Sequence, residues 1–548
     1  MKNKKVRIVV QVIVDIIAAF VVFWFTLPPI NPRSVDFWGY LLTVGIICLV
    51  VFGLTCFSKL RSMDFSPEKV REFRGRKPGK KAKIVIYTVL GVIALFIVVT
   101  LTGAEIFNAG SYGKLLTLED GDFSKDVAEL SMSQIPVVDR DTASRLGKRK
   151  LGEISELVSQ FEIEEDYTQI NYKDRPVRVT PLAYGDIIKW FGNQAEGIPA
   201  YIMVDMTTQE TTLVQMEEGI KYSRGEYFMR NLDRYLRFKY PTKIFEAVTF
   251  EIDENGTPYW IASTVSFRIG FWGGKDISGA VLLNAITGEC QYYDVDDVPQ
   301  WVDTVYSAPM LIQQLTYNGK YRSGFWNSIF GQKGVLQPTS GYNYIAINDD
   351  VYLYTGMTSV TSDQSNVGFV LINMRTKESK YYVMSGAEEY SAMDSAQGQV
   401  QNLKYVATFP ILLNVSDRPT YFMSLKDGAG LVKMYAFVDM EQYQIVGTGN
   451  TIDEAKTNYA KALENNGIKA EIQPEEPVEE TTIVGTVKQI RSAVVEGNTK
   501  YFVMLNEIDG IYVLPVTLSD SLLFTDVGDE LTITLQGDEI VSVIVNFH

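Results

Sequence analysis

Ile84–Ala104 reads IVIYTVLGVIALFIVVTLTGA, 21 residues without a charge between Lys83 and Glu105. At about 1.5 Å per residue, a helix of this length crosses a hydrocarbon core of roughly 30 Å. No comparable apolar run follows it. Residues 105–548 are therefore expected to lie on one side of a membrane, and the number of spans before Ile84 decides which side.

Working outward, the segment from Asp36 to Lys59 encloses FWGYLLTVGIICLVVFGLTCFS, 22 uncharged residues and a second span. The start, MKNKKVR, precedes an apolar run from Ile8 to Ile30 broken only by Gln11 and Asp15. A basic start before an apolar stretch also describes a signal peptide. This run is too long for one, carries an acid, and ends in Leu27-Pro28-Pro29 without a small-x-small pattern, so it reads as an uncleaved first helix. Lys59–Lys83 holds ten basic residues, whereas the first loop has only Arg33. The positive-inside rule places the start and this basic loop in the cytoplasm and the large region outside. The loop is suited to anionic lipid headgroups, and Ser66-Pro67-Glu68 in it has the form of a helix start. Asp15 is the one ionisable residue within a span; charge at such depth normally meets a partner or water, which makes it the candidate for an intramembrane partner contact.

Residues 1–103 carry a net +10 against −15 for the chain, leaving −25 for the remainder. Such an exterior repels phosphate backbones, so nucleic acid is not an expected partner. Of three cysteines only Cys290 lies outside the spans, which excludes an internal disulfide there and fits a bacterial envelope protein. The single histidine is His548. Ser-His-Asp triads, Cys-His pairs and histidine-dependent zinc sites therefore lack their imidazole. No P-loop, G-x-S-x-G or dinucleotide fingerprint stands in a suitable context. No catalytic residue, metal or cofactor is assigned. Carboxylate-only and Ser-Lys chemistry remain open. Asp294, Asp296 and Asp297 raise the question of calcium, but they lack the ordered D-x-D-x-D-G loop.

Residues 105–169 read as a stalk and an amphipathic helix, with Leu146, Leu151, Ile154, Leu157 and Val158 at helical spacing and Asp141 as its cap. From 170 to 467 a pattern recurs: IMVDMTTQET around Asp205, VLLNAITGEC around Asn284, VLINMRTKES around Asn373 and AFVDMEQYQI around Asp439. An apolar run meets Asp or Asn, whose side chain accepts backbone N–H bonds, and a second run follows; this is a hairpin turn. Similar upstream strands occupy 256–263, 341–348 and 418–425. The turns stand 79, 89 and 66 residues apart, too irregular for a solenoid or propeller. Helical stretches at 227–238, 302–315 and 387–405 make the expected unit a helix followed by an antiparallel hairpin, several in tandem, in an α+β architecture.

The stretch Tyr227–Tyr293, with FEAVTFEIDENGTPYWIA and then AVLLNAITGECQYY, resembles PepSY-type domains, small extracytoplasmic modules of helix and hairpin. Only the copy at Asn284 has the full Asn-Ala-Ile-Thr-Gly-Glu form; Gln209 and Lys377 replace the glycine elsewhere. The resemblance implies regulatory or protein-binding duty at the envelope.

Thr451-Ile-Asp-Glu454 is a capping box opening a helix that Gly467 ends. Residues 468–481 read as an acidic linker. Five alternating runs in 482–548, with a small helix at 519–524, resemble an OB-like β-barrel. The expected whole is three N-terminal transmembrane helices (1–104), tandem α+β units and a small barrel. Its function is non-catalytic binding, scaffolding or regulation of an envelope or membrane protein partner. The alternatives are an envelope enzyme and a signal transducer acting through the basic loop.

Overall fold

The computed structural model describes residues 2–60, 80–129, 134–347, 349–360, 365–469, 480–495, 498–506, 508–536 and 539–547. Nearly all of the basic loop and of the acidic linker lie outside them. The chain forms two compact units, Met1–Ala470 and Glu471–His548. Three helices open the first: α1 (Lys2–Thr26), α2 (Val35–Leu60) and α3 (Lys80–Thr102). Each is long and apolar enough to cross a membrane.

Past α3, a short helix α4 (Glu105–Tyr112) precedes four modules built on one plan, a helix and then four antiparallel strands in meander order. Module one contains α5 (Arg140–Gly152), β1 (Thr168–Tyr172), β2 (Arg175–Tyr184), α6 (Ile187–Asn193), β3 (Ile198–Asp205) and β4 (Thr211–Ile220). Module two contains α7 (Leu232–Lys239), β5 (Phe245–Ile252), β6 (Pro258–Ile269), β7 (Gly273–Asn284) and β8 (Cys290–Asp294). Module three contains α8 (Ala308–Tyr321), β9 (Asn343–Ile347), β10 (Asp350–Ser359), β11 (Ser365–Asn373) and β12 (Ser379–Ala387). Module four contains α9 (Glu389–Gln399), β13 (Ile411–Val415), β14 (Arg418–Lys426), β15 (Val432–Asp439) and β16 (Val446–Gly449), and α10 (Ile452–Asn465) packs behind it. The recurring hairpin is therefore the last half of a four-stranded sheet, larger than the hairpin unit expected from the sequence.

The Asp/Asn turns join the third and fourth strands of each sheet. Asn284 Oδ1 accepts the N–H groups of Ile286 and Thr287, both at 2.9 Å. Asp205 and Asn373 hold Thr208 and Thr376 in the same way. Asp439 closes a longer loop by accepting from Gln442. The fifth turn residue is left-handed in three copies: Gly288 (φ 76°), Gln209 (φ 64°) and Lys377 (φ 68°). Glycine takes that conformation without a Cβ penalty, so the one complete motif is the relaxed version of a shared geometry.

A second device recurs, which the sequence reading did not contain. The residue after each Asp or Asn is Met206, Ala285, Met374 or Met440, and all four are buried. Its N–H donates to a carbonyl at the start of the second strand: Pro176, Pro258, Val351 and Pro419. Its own carbonyl accepts from the segment that leads into the module: Val137 at 2.7 Å, Tyr222 at 3.0 Å, Tyr306 at 2.8 Å and Ala387 at 2.9 Å. Each module is thus latched to its own entry segment by the same backbone pair. The equivalents of 256–263 are the second strands β2, β6, β10 and β14, so 341–348, which contains β9, belongs one strand earlier.

The modules pack so that the second and third sheets are covered on both faces. Trp260, Ala262, Val281 and Leu283 join one core, while Ile261, Ala280 and Leu282 join the other. This is why their strands read as unbroken apolar runs. The segment read as a stalk is packed as well: Leu116, Phe123, Val127, Ile135, Val137 and Val138 are all buried. Glu119–Asp120 adds a parallel strand to β12. Asp139, rather than Asp141, caps α5, accepting from Thr142 N at 2.9 Å. Thr451 caps its helix, with Glu454 N donating to Thr451 Oγ1, and the Glu454 carboxylate accepts from Asn450 N, one residue before the position the capping box predicts.

The second unit holds β17 (Glu480–Val495), β18 (Asn498–Leu505), β19 (Ile508–Pro515), β20 (Glu530–Gln536) and β21 (Glu539–Asn546), ordered β19-β18-β17-β20-β21. The long β17 pairs with β18 along one half and β20 along the other. Among the described residues the edges β19 and β21 are not hydrogen-bonded to each other, so the sheet is open where a barrel was expected. A 3₁₀ turn, Asp520–Phe524, packs Leu522 into its core instead.

Candidate functional site

Two places in the first unit gather polar groups whose position demands an explanation. The first is where the helices meet the sheets. Leu27, at the exit of α1, has φ 44°, and its carbonyl accepts from Arg237 Nε at 2.9 Å. Arg237 is buried on α7, and its Nη1 donates to Lys243 O at 2.6 Å and to Tyr240 O. Burial lowers its pKa to about 10, still cationic at neutral pH. The guanidinium thus ties the carbonyl just past the end of α1 to module two. Ile30 N donates to Pro241 O, Asn31 Nδ2 to Thr242 O and Arg33 Nη1 to Phe267 O. Trp272 Nε1, in the β6–β7 turn, donates to Pro32 O.

The exit of α3 is gripped by the same turn. A Cβ on Gly270 would lie 2.6 Å from Gly103 N, and one on Gly273 would lie 2.9 Å from Gly103 O. Three glycines therefore allow backbone to lie on backbone. Phe96 packs on Trp272 at 4.9 Å between centroids, and Phe23 and Trp24 pack on Phe238. On either side of this collar the surface is apolar and exposed. Ile188, Phe191 and Phe228 lie beside α7, where Arg234 stacks over Trp24. Phe107, Trp326 and Phe330 lie beside α4, where Tyr321 donates to Glu105.

The second place is the junction of the sheets. Glu251 on β5 and Asp303 are both almost wholly buried. Glu251 accepts from Asp303 N at 2.9 Å and Thr304 N at 3.1 Å, and Asp303 Oδ2 accepts from Asn171 N at 2.7 Å. Burial pushes Glu251 up to about 7; burial and the neighbouring Glu251 push Asp303 well up too. The pair therefore retains a proton at neutral pH. Beside it two cavities of about 310 and 320 Å³ share Arg140, Tyr167, Arg178 and Tyr344 as walls. One opens between the first, third and fourth sheets, the other between the first, second and third.

Asp15 lies half-buried on α1, where it accepts from Gln11 Nε2 at 3.0 and 3.2 Å and lies within hydrogen-bonding reach of Cys48 on α2. It is remote in sequence from both polar places. Asp294, Asp296 and Asp297 are exposed at the end of β8, where Tyr292 donates to Asp294. Among the described residues no group of three or more His, Cys, Asp or Glu is arranged to hold a metal. Burial raises the Cys290 thiol to about 11, so it is protonated at neutral pH and a poor nucleophile. Arg178, Arg237, Glu251 and Asp303 were not singled out from sequence. In RPVRVTPLAY and FEAVTFEID they alternate with apolar residues or stand on a short helix, positions that read as solvent-facing.

No protein-family model matches the chain, and no curated protein matches it. Among solved structures it is similar to an ACO/RPE65 chimera at 8% identity, over 71% of this chain and 62% of that one, with a TM-score of 0.13. It is similar at the same TM-score to a mutant of the Synechocystis apocarotenoid oxygenase, at 9% identity over 72% and 64% of the two chains. The chain spans less than two thirds of either, and likeness at this level carries no conclusion about fold or activity.

Proposed function

We propose that the chain is a non-catalytic bacterial plasma-membrane protein that holds its sheets on the extracytoplasmic side to bind a protein or envelope component. Ten basic residues in Lys59–Lys83, against Arg33 alone in the first loop, support that orientation and contact of the basic loop with anionic lipid headgroups. The resemblance of Tyr227–Tyr293 to PepSY modules supports regulatory duty. The single observation that carries the reading is the collar. A domain tethered only for display needs a linker, whereas here the exit of α1 is hydrogen-bonded to module two and the exit of α3 packs backbone to backbone against it.

That rigidity also favours the transducer reading, because a shift of the sheets would pass directly to α1–α3. The apolar flanks of the collar, Phe228 and Ile188 on one side and Trp326 and Phe330 on the other, suit the headgroup layer. Asp15 supplies a polar handle for an intramembrane partner.

Two experiments test this. In intact cells a membrane-impermeant thiol reagent should label Ser519→Cys and spare Ser66→Cys; the reverse pattern overturns the orientation. Cross-linking with mass spectrometry, on wild type and Asp15→Leu, should recover a membrane or envelope protein. A partner lost only in the mutant assigns the contact to Asp15, and one retained in both assigns it to the sheets. Recovery of no partner from either sinks the binding reading.

A further inference from the structure

The cavities at the sheet junction hold a polar set that is short of acceptors. Arg178 stands on β2 and is 5% exposed. Its Nη2 donates to Gln169 Oε1 at 3.1 Å, and its Nε has no partner. Gln169 Nε2, on the paired position of β1, also has no partner. Both are donors, and an ionised guanidinium cannot accept. Among the described residues no carboxylate lies within ion-pair distance of Arg178. Asp139, which attracts it from a distance, is engaged by Lys426 at 2.5 Å and Thr142 N at 2.9 Å. A buried, unpaired charge is strongly unfavourable, so natural interiors supply a counter-charge.

The charge around the larger cavity has the same sign. Arg140, Arg178 and Arg224 line it with a single carboxylate, Asp166, which is shared between Arg140 at 2.8 Å and Arg224 at 2.6 Å. The rest of the wall mixes polar residues such as Gln169, Thr249 and Thr304 with the flat rings of Phe250, Trp260 and Tyr344, and Arg224 sits over the Trp260 ring at 5.7 Å. A volume near 320 Å³ at a junction of sheets is the size and position of a small-ligand site.

We propose that this cavity binds a small organic anion, its carboxylate or phosphate oxygens on the guanidinium of Arg178 and its apolar body against Trp260 and Tyr344. A planar oxyanion matches the guanidinium fork and supplies the acceptors that Arg178 and Gln169 lack. The ligand would bridge the first three modules, so its occupancy sets how firmly they hold together. The inference is independent of the membrane orientation and of any protein partner; its failure leaves both intact.

The test uses the full chain purified in detergent. Melting temperature is followed against benzoate, inorganic phosphate and, as a neutral mimic, benzyl alcohol; small anions released on denaturation are identified by mass spectrometry. The expected result is a saturable rise with benzoate and none with benzyl alcohol. Arg178→Gln should weaken the apparent affinity at least tenfold and remove any co-purified anion. A response to phosphate alone would assign an inorganic oxyanion and overturn the organic body. Arg140→Gln, on a more exposed side chain, provides a second variant should Arg178→Gln fail to fold, with several-fold weaker binding expected. Absence of both a ligand-induced rise and a co-purified anion from the wild type overturns the proposal, as does an unchanged response in the variants.

Discussion

The collar and the junction each bury an arginine without a carboxylate, and they solve the problem differently. At the collar, Arg237 spends its donors on the carbonyls of Leu27, Tyr240 and Lys243, joining α1 to module two. At the junction, Arg178 lines a cavity and has, among the described residues, one neutral acceptor and no partner for its buried Nε. A satisfied buried charge is a structural fastener; an unsatisfied one is poised for a partner. The contrast separates holding from binding within one domain.

The largest expected effect breaks that contrast if it is wrong. Arg237→Ala removes a buried guanidinium and strands three half-buried carbonyls, and should destabilise by about 2–4 kcal/mol. Arg178→Met removes a charge that lacks compensation and should stay within about 1 kcal/mol of wild type in anion-free buffer. Thermal unfolding followed by tryptophan fluorescence measures both. Equal losses would mean that Arg178 is a fastener too.

The next effect sharpens the account of the collar. At Gly273 a Cβ would collide with Tyr112 Oη as well as with Gly103. Gly273→Val should destabilise by roughly 2–3 kcal/mol and speed proteolysis between α3 and the sheets. Gly428→Ala, which meets nothing within 4 Å, is the control and should change neither. Matching behaviour of the two variants would remove the close approach as the reason for glycine.

At the junction, the proton retained by the pair Glu251 and Asp303 gives a pH signature. Both carboxyls are raised in the folded state, so the fold binds more protons than the unfolded chain. The pair's contribution is then fully present below about pH 4 and is lost as pH rises through about 7, by roughly 1–3 kcal/mol. Asp303→Asn keeps an acceptor for Asn171 N and removes the proton requirement, so its profile over pH 5–8 should be flatter. Parallel profiles for variant and wild type would exclude the pair as the source.

How much of this was legible follows from how local each signal is. The four turns were readable because Asp or Asn and the N–H groups it accepts lie within three residues of each other. Four-stranded sheets were not, because the first two strands of each module join at turns with no shared motif: Lys173-Asp174 and Ser416-Asp417, both with positive φ. The uneven spacing that argued against a regular repeat comes from insertions, such as the π-helical turn Asn327–Gly331 in module three, between the turns at Asn284 and Asn373. Arg178 and Glu251 escaped because alternation in a strand suggests one wet face, and here modules pack on both. The three long helices were plain from length and hydropathy alone; the collar was not, since it depends on carbonyls and glycines far apart in the chain.

The smallest effect tests whether the repeated turn is one geometry, despite its differing residues. Gln209 and Lys377 hold the left-handed position that Gly288 holds in module two. A non-glycine residue there costs about 1–2 kcal/mol, and the added chain freedom of glycine offsets part of any gain. Gln209 has only a long bond from Nε2 to Tyr435 Oη at 3.3 Å, so Gln209→Gly should stabilise by roughly 0.5 kcal/mol. Lys377 reaches Asp276 at 2.7 Å with both side chains mostly buried, and Lys377→Gly would leave that carboxylate with Gln314 and a longer approach of Arg268. That variant should destabilise by about 1 kcal/mol or more, because a buried partner is lost. Opposite signs at one backbone position would show that the turn is shared and that side-chain duty alone explains the missing glycines. The same sign for both, read from thermal unfolding of the two variants beside wild type, would mean that the three turns are not equivalent.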